Sequence, residues 1–186
     1  MLVIQFQQPG DPVALAVDLV NTWDTLEAQP ELLREVSDLR AFLGRHGISG
    51  AAGVDGRDLA RVRAFREELR SVFAEEDEDR AAMRLNALLE RSGAVPQLVP
   101  DGDSWALRHA PGPVGPSARL IAEASAVLAE AVSGLGWERL GICSAAPCTC
   151  VFVDRSRSGR RRYCCRLCAD RAATAAYRAR RRGDTV

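Results

Sequence analysis

Apolar residues recur at helical spacing through most of the chain ahead of its cysteines. From Pro30, ELLREVSDLRAFLGRHG places Leu32, Leu33, Val36, Leu39, Phe42 and Leu43 on one face, which predicts an amphipathic helix ended by Gly44 or Gly47. Beyond the linker ISGAAGVDG, the segment RDLARVRAFREELRSVFAEE repeats the pattern at Leu59, Val62, Phe65, Leu69, Val72 and Phe73. The acidic run EEDED then precedes AAMRLNALLERSG, where Met83, Leu85, Leu88 and Leu89 read as core. SARLIAEASAVLAEAVSGLG predicts an Ala-rich helix with Ser117 as N-cap and an end near Gly134 or Gly136. Nearer the start, PVALAVDLVNTW predicts a short, mostly buried helix, with Asp11 as N-cap and Pro12 at its first position.

Alternation with a period of two is confined to short runs. LVIQFQ at the start predicts a strand broken by PGDP, and VPQLVP, the turn Asp101-Gly102-Asp103 and SWALRH predict a β-hairpin that would pair with it. APGPVGP reads as a loop and WERLGIC as a link to the cysteines. These elements imply a mainly α fold with a small antiparallel sheet. The expected organisation is a helical domain over 1–136 and a small treble-clef-like or ribbon-like metal module over 137–186.

With 186 residues, 47% hydrophobic and 27% charged, the chain can bury a core, which excludes wholesale disorder. It has no run of the roughly 18–20 apolar residues that a bilayer requires, and its first residues lack the pattern of an export signal, so the expectation is a cytoplasmic protein without a membrane partner. A net charge of zero conceals a split. Residues 1–140 carry 14 Arg against 22 acidic residues, whereas residues 141–186 carry 11 Arg against 3 Asp. A basic tail on an acidic body is the electrostatic footprint of a nucleic-acid partner. The absence of Lys reads as coding bias and carries no functional weight.

All six cysteines, Cys143, Cys148, Cys150, Cys164, Cys165 and Cys168, fall in this basic tail. Without an export signal, metal binding is a better reading than disulfides. Cys143-x4-Cys148 and Cys164-x3-Cys168 are two short-spaced pairs, each able to supply two corners of a zinc tetrahedron from a tight turn or helix start. The expected set for one structural Zn²⁺ is Cys143, Cys148, Cys164 and Cys168. Exchange of Cys148 with Cys150 or of Cys164 with Cys165 stays open here, as does an iron–sulfur cluster. Zinc is favoured because so short a module buries too little apolar surface to fold without metal.

The run C-x4-C, VFVDRSRSGRRRYC and CADRAATAAYRARRR resembles the CGNR zinc-finger family of bacterial transcription regulators, in its actinobacterial form. The signature quartet stands here as Cys168-Ala169-Asp170-Arg171, with Asp170 where the family has Asn. ALAVDLVNT, from Ala14 to Thr22, is similar to the LALDLVNT motif of the ABATE domain that accompanies this finger, a domain described as a stress-induced transcription regulator. The resemblance implies metal binding and DNA-linked regulation.

After Cys168 the sequence is a strong helix former, and at 100° per residue Arg171, Arg178 and Arg182 share one face. Arg160, Arg161 and Arg162 precede the second cysteine pair. These six are the candidate contacts to duplex DNA; the alternative is a finger that docks on a protein partner such as the transcription machinery. Asp18, Asn21 and Thr22 form a polar cluster on an apolar helix. With Trp23 they are the candidate site for a small-molecule effector, against the simpler reading of internal caps and core. His46 and His109 read as solvated, and Trp105 as core. The sequence carries no phosphate loop, GxSxG elbow or HExxH, so catalysis is not expected.

Overall fold

A computed structural model describes residues 13–110 and 115–183. The N-terminal strand, the caps at Asp11 and Pro12 and most of the APGPVGP loop lie outside the described residues. α1 (Ala14–Val20) is buried along its whole length and packs against α3 (Gly56–Ala74), α5 (Pro116–Leu135) and strand β4 (Val151–Val153). Apart from Asp18 it is apolar on every face, as suits a helix none of whose faces meets solvent. α2 (Val36–Arg45) and α4 (Glu78–Ser92) pack on α3, and α4 also meets α5.

α3 follows its sequence pattern closely. Leu59, Val62, Phe65, Leu69, Val72 and Phe73 are all buried, and the Asp55 carboxylate caps the helix by accepting from the amides of Arg57 (2.8 Å) and Asp58 (3.1 Å). α2 begins five residues later than its apolar spacing predicts. Residues 30–35 stay out of the helix because Pro30 and Leu32 pair across α1's end around an isolated Trp23–Glu31 bridge: the Asp24 amide donates to Pro30 O (2.9 Å) and the Leu32 amide to Thr22 O (2.9 Å). The Arg63 guanidinium holds the carbonyls of Leu33 and Arg34. Leu33 is still buried, but from an irregular segment. Met83 departs from expectation at 71% exposure. It lies 200° from both Ala81 and Leu85, off the buried face that those two share with Leu88 and Ser92.

α5 starts two residues earlier than the Ser117 cap would place it. Gly115 is the N-cap, Pro116 takes the first turn, and Ser117 is buried inside the helix. β1 (Val95–Asp101) and β2 (Ser104–Ala110) form the expected hairpin, closed by the two-residue loop Gly102-Asp103. β2 lies on α5, where the His109 amide donates to Glu123 (2.8 Å). Both histidines depart from the solvated reading. The His109 ring is mostly buried beside Glu130, and the His46 ring stacks near Phe42 with its Nε2 3.4 Å from Asp18. Trp105, expected in the core, is 69% exposed on the hairpin.

The core continues past Gly136. A short 3-10 turn at Trp137–Arg139 leads into β3 (Leu140–Ile142), which pairs antiparallel with β4, and Val151 and Val153 belong to the same buried cluster as α1, α3 and α5. Gly141 faces Phe152 across this hairpin, and a Cβ there would lie 2.5 Å from the ring. The chain closes with α6 (Arg166–Gly183). Among the described residues no helix is long and apolar enough to cross a membrane.

Candidate metal centre and basic helix

The β3–β4 connection is a knuckle carrying Cys143 and Cys148, and the start of α6 brings in Cys164 and Cys168. Their four sulfurs lie within 4.8 Å of one another, with three of the residues buried and Cys164 half-buried. Cys148 Sγ stands 3.7 Å from Cys164 Sγ, which is 3.5 Å from Cys168 Sγ. A tetrahedron with zinc–sulfur bonds of about 2.3 Å has edges of about 3.8 Å, so the spacing suits one zinc. Cys150 and Cys165 fall outside this set. Cys150 is buried at the edge, its carbonyl accepting from the Cys143 amide (2.9 Å) and so closing the knuckle.

The clustered sulfurs also perturb one another's protonation. Burial pushes the Cys168 thiol up to about 12, and the sulfurs of Cys148 and Cys150, with burial, push Cys164 up as well. Hydrogen bonds from Cys150 and Cys164 draw Cys148 down. Four thiolates together need a cation at their centre. Arg171 adds a positive charge beside them: its Nη2 donates to Cys168 Sγ (3.4 Å) and to Ala145 O (2.9 Å), joining the helix half of the cage to the knuckle half.

The loop between the halves is folded on itself. Asp154 is buried, its Oδ1 accepting from the Ser156 amide and its Oδ2 from the Arg161 amide, both at 2.8 Å. Arg139 reaches in to Ser156 O (2.9 Å), against Gly159, whose φ of 61° favours glycine and where a Cβ would sit 2.7 Å from the guanidinium. The Ser144 amide donates to Arg162 O (2.9 Å), fixing the loop to the knuckle.

The profile of the ABATE family, described as "Putative stress-induced transcription regulator", matches residues 13–135, and that of the CGNR zinc finger matches residues 139–181. The chain belongs to the ABATE family. Comparison with curated proteins finds no match. The ABATE part supplies α1 to α5, and the CGNR finger supplies β3, β4, the cage and α6, with Cys143, Cys148, Cys164 and Cys168 fitting one structural zinc.

Within this architecture the six candidate arginines divide by occupation. Arg161 lies with its guanidinium 5.0 Å from the centre of the Phe152 ring, and donates to Tyr163 O (2.9 Å) and Cys164 O. It therefore braces the finger, as Arg171 does. Arg160, Arg162 and Arg178 are exposed, and the side chain of Arg182 lies outside the described ones. Arg166 escaped the sequence reading. Its side chain is 91% exposed at the start of α6, and its position between two ligand cysteines was the signal that could have found it. Arg160, Arg161, Arg162, Tyr163, Cys165, Arg166 and Ala169 line an open cleft of about 400 Å³. Asp170, the departure from the CGNR signature, is exposed 3.9 Å from Arg166.

The quartet proposed for an effector has internal partners. Asn21 exchanges two hydrogen bonds with the backbone of Val151: Nδ2 donates to its carbonyl (3.0 Å) and Oδ1 accepts from its amide (2.8 Å). Thr22 Oγ1 donates to Leu19 O (2.7 Å) and accepts from Arg66 Nη1 (3.1 Å). Asp18 faces His46, and Trp23, 38% exposed, lies under the Arg66 guanidinium. The ALAVDLVNT motif thus touches the CGNR finger directly through Asn21.

Proposed function

We propose that this ABATE protein is a cytoplasmic, non-enzymatic regulator that binds duplex DNA through its finger. The observation that carries the reading is α6. Its first turn holds the cage, and from Ala173 to Arg181 every residue is exposed, Arg178, Arg180 and Arg181 among them. A helix exposed on all sides gains little from its own chain and is suited to burial against a partner. At 18 residues it is about 27 Å long, and a helix of this kind enters the major groove of B-DNA. The arginine cleft at its start offers Arg160, Arg162 and Arg166 to a backbone phosphate, which sets the helix's register.

The test is a titration of the zinc-loaded chain with duplex DNA at several salt concentrations, alongside Arg160→Ala, Arg166→Ala and Arg178→Ala. Each variant is expected to weaken binding on all sequences and to flatten the salt dependence by about one ion. The second reading, a finger that docks on protein, is favoured by Leu167 and Tyr177, 49% and 55% exposed on α6. Tight partner capture without salt-dependent DNA binding selects it. Effector sensing by the ABATE part would act through the Asn21 contact with the finger rather than require a second linkage, and a ligand that shifts the DNA titration is its test.

A further inference from the structure

We infer that Asn21, Thr25 and Arg70 of the ABATE part are positioning residues for the zinc cage and set its metal affinity. The inference does not rest on DNA binding. Cys148 is flanked on both sides by backbone that the helical body holds. Thr25 Oγ1 donates to Pro147 O (2.6 Å), Arg70 Nη1 donates to Thr149 O (3.0 Å), and Asn21 clasps both polar groups of Val151. The bonds fall on residues 147, 149 and 151. This alternation turns one edge of the knuckle toward the body while Cys148 faces the cage.

The body's side of this contact is itself anchored. The Arg70 guanidinium also takes Val20 O (2.6 Å) and Trp23 O (3.3 Å), so one side chain caps the end of α1 and grips the knuckle. Val151 and Val153 follow immediately and are buried against α1. A loop that must be ordered by the metal itself binds that metal more weakly than one already held in place. The reciprocal holds as well: zinc, by fixing the knuckle, stabilises the helical body.

The experiment uses the full chain, with zinc affinity read by competition against a chromophoric chelator and site geometry read by Co²⁺ absorption. Arg70→Met and Asn21→Ala are expected to weaken zinc binding about 10- to 100-fold, the range seen when partners that orient a metal's ligands are removed. Thr25→Val shifts it in the same direction by less. At saturation all three keep the tetrahedral cobalt–thiolate spectrum, because the four ligands are intact. The variants also lower the melting temperature of the zinc-loaded chain more than that of the chelated chain, whereas a purely structural defect lowers both equally. If Asn21→Ala does not fold, Arg70→Met and Thr25→Val decide the matter. Zinc affinity within twofold of the parent in both overturns the inference, as does a parent chain that takes up no zinc.

Discussion

At Glu31 two arginines of α3 converge. Arg66, almost wholly buried, donates to both carboxylate oxygens at 2.7 Å, and Arg63 Nε lies at 3.5 Å. Burial raises the Glu31 pKa, but the Arg66 hydrogen bond, the Leu33 amide and the two positive charges outweigh it and hold the carboxyl below its usual range. Its contribution to stability is therefore complete above the unfolded value of 4.5 and is lost as pH falls through the folded one. Arg66→Met is expected to cost about 2 to 3 kcal/mol in denaturant unfolding at pH 7, because it leaves a partly buried carboxylate with only Arg63 and the Leu33 amide as partners. His46 extends the pH dependence upward. Burial, with Arg45, pushes it from 6.5 down to about 4, while Asp18 at 3.4 Å pulls the other way. A folded-state pKa below the unfolded one means that stability is complete above pH 6.5 and declines as pH falls from 6.5 toward 4. Unfolding curves at pH 7, 6 and 5 should show this slope, and His46→Gln should remove it. A flat or reversed slope in the parent would mean that the Asp18 charge prevails.

At the scale of elements, the part of the fold that is local in origin was legible. The six apolar positions of α3 are buried as spaced, and Asp101-Gly102-Asp103 turns a hairpin. What was not legible depends on partners distant in sequence. Residues 30–35 have helical spacing but are kept out of the helix by Thr22, Arg63 and Arg66, and the two arginines lie about 30 residues away, beyond the reach of local pattern. The three residues of LGI carry too little pattern to mark β3 as a strand, yet Gly141 is there to admit the Phe152 ring on which Arg161 rests. Gly141→Val is accordingly expected to destabilise the chain by more than 1 kcal/mol and to weaken zinc retention, measured by melting and by chelator competition. The metal ligands were legible because two close pairs suffice to suggest a tetrahedron. The DNA arginines were only partly so: counting charge cannot tell that Arg161 and Arg171 spend their guanidinium groups on carbonyls and a sulfur of their own finger.

For the whole molecule, the opposition between an acidic body and a basic tail is accompanied by a shared core. Because Val151 and Val153 sit in the same cluster as α1, α3 and α5, the finger is expected to unfold with the body in one transition, and Cys148→Ser to lower that transition as well as abolish zinc uptake. Separate melting of a fully stable body in Cys148→Ser would contradict the shared core. The zinc cage then serves as the fixed root from which α6 projects its arginines. The most direct test of this account is the dependence of duplex-DNA affinity on salt, measured by fluorescence anisotropy on the full zinc-loaded chain and again after chelation. With about four to six phosphates engaged, log K should fall against log salt with a slope of about −4 to −5, and chelation should abolish most of the binding. No binding at low salt, or binding that neither salt nor chelation changes, would contradict it.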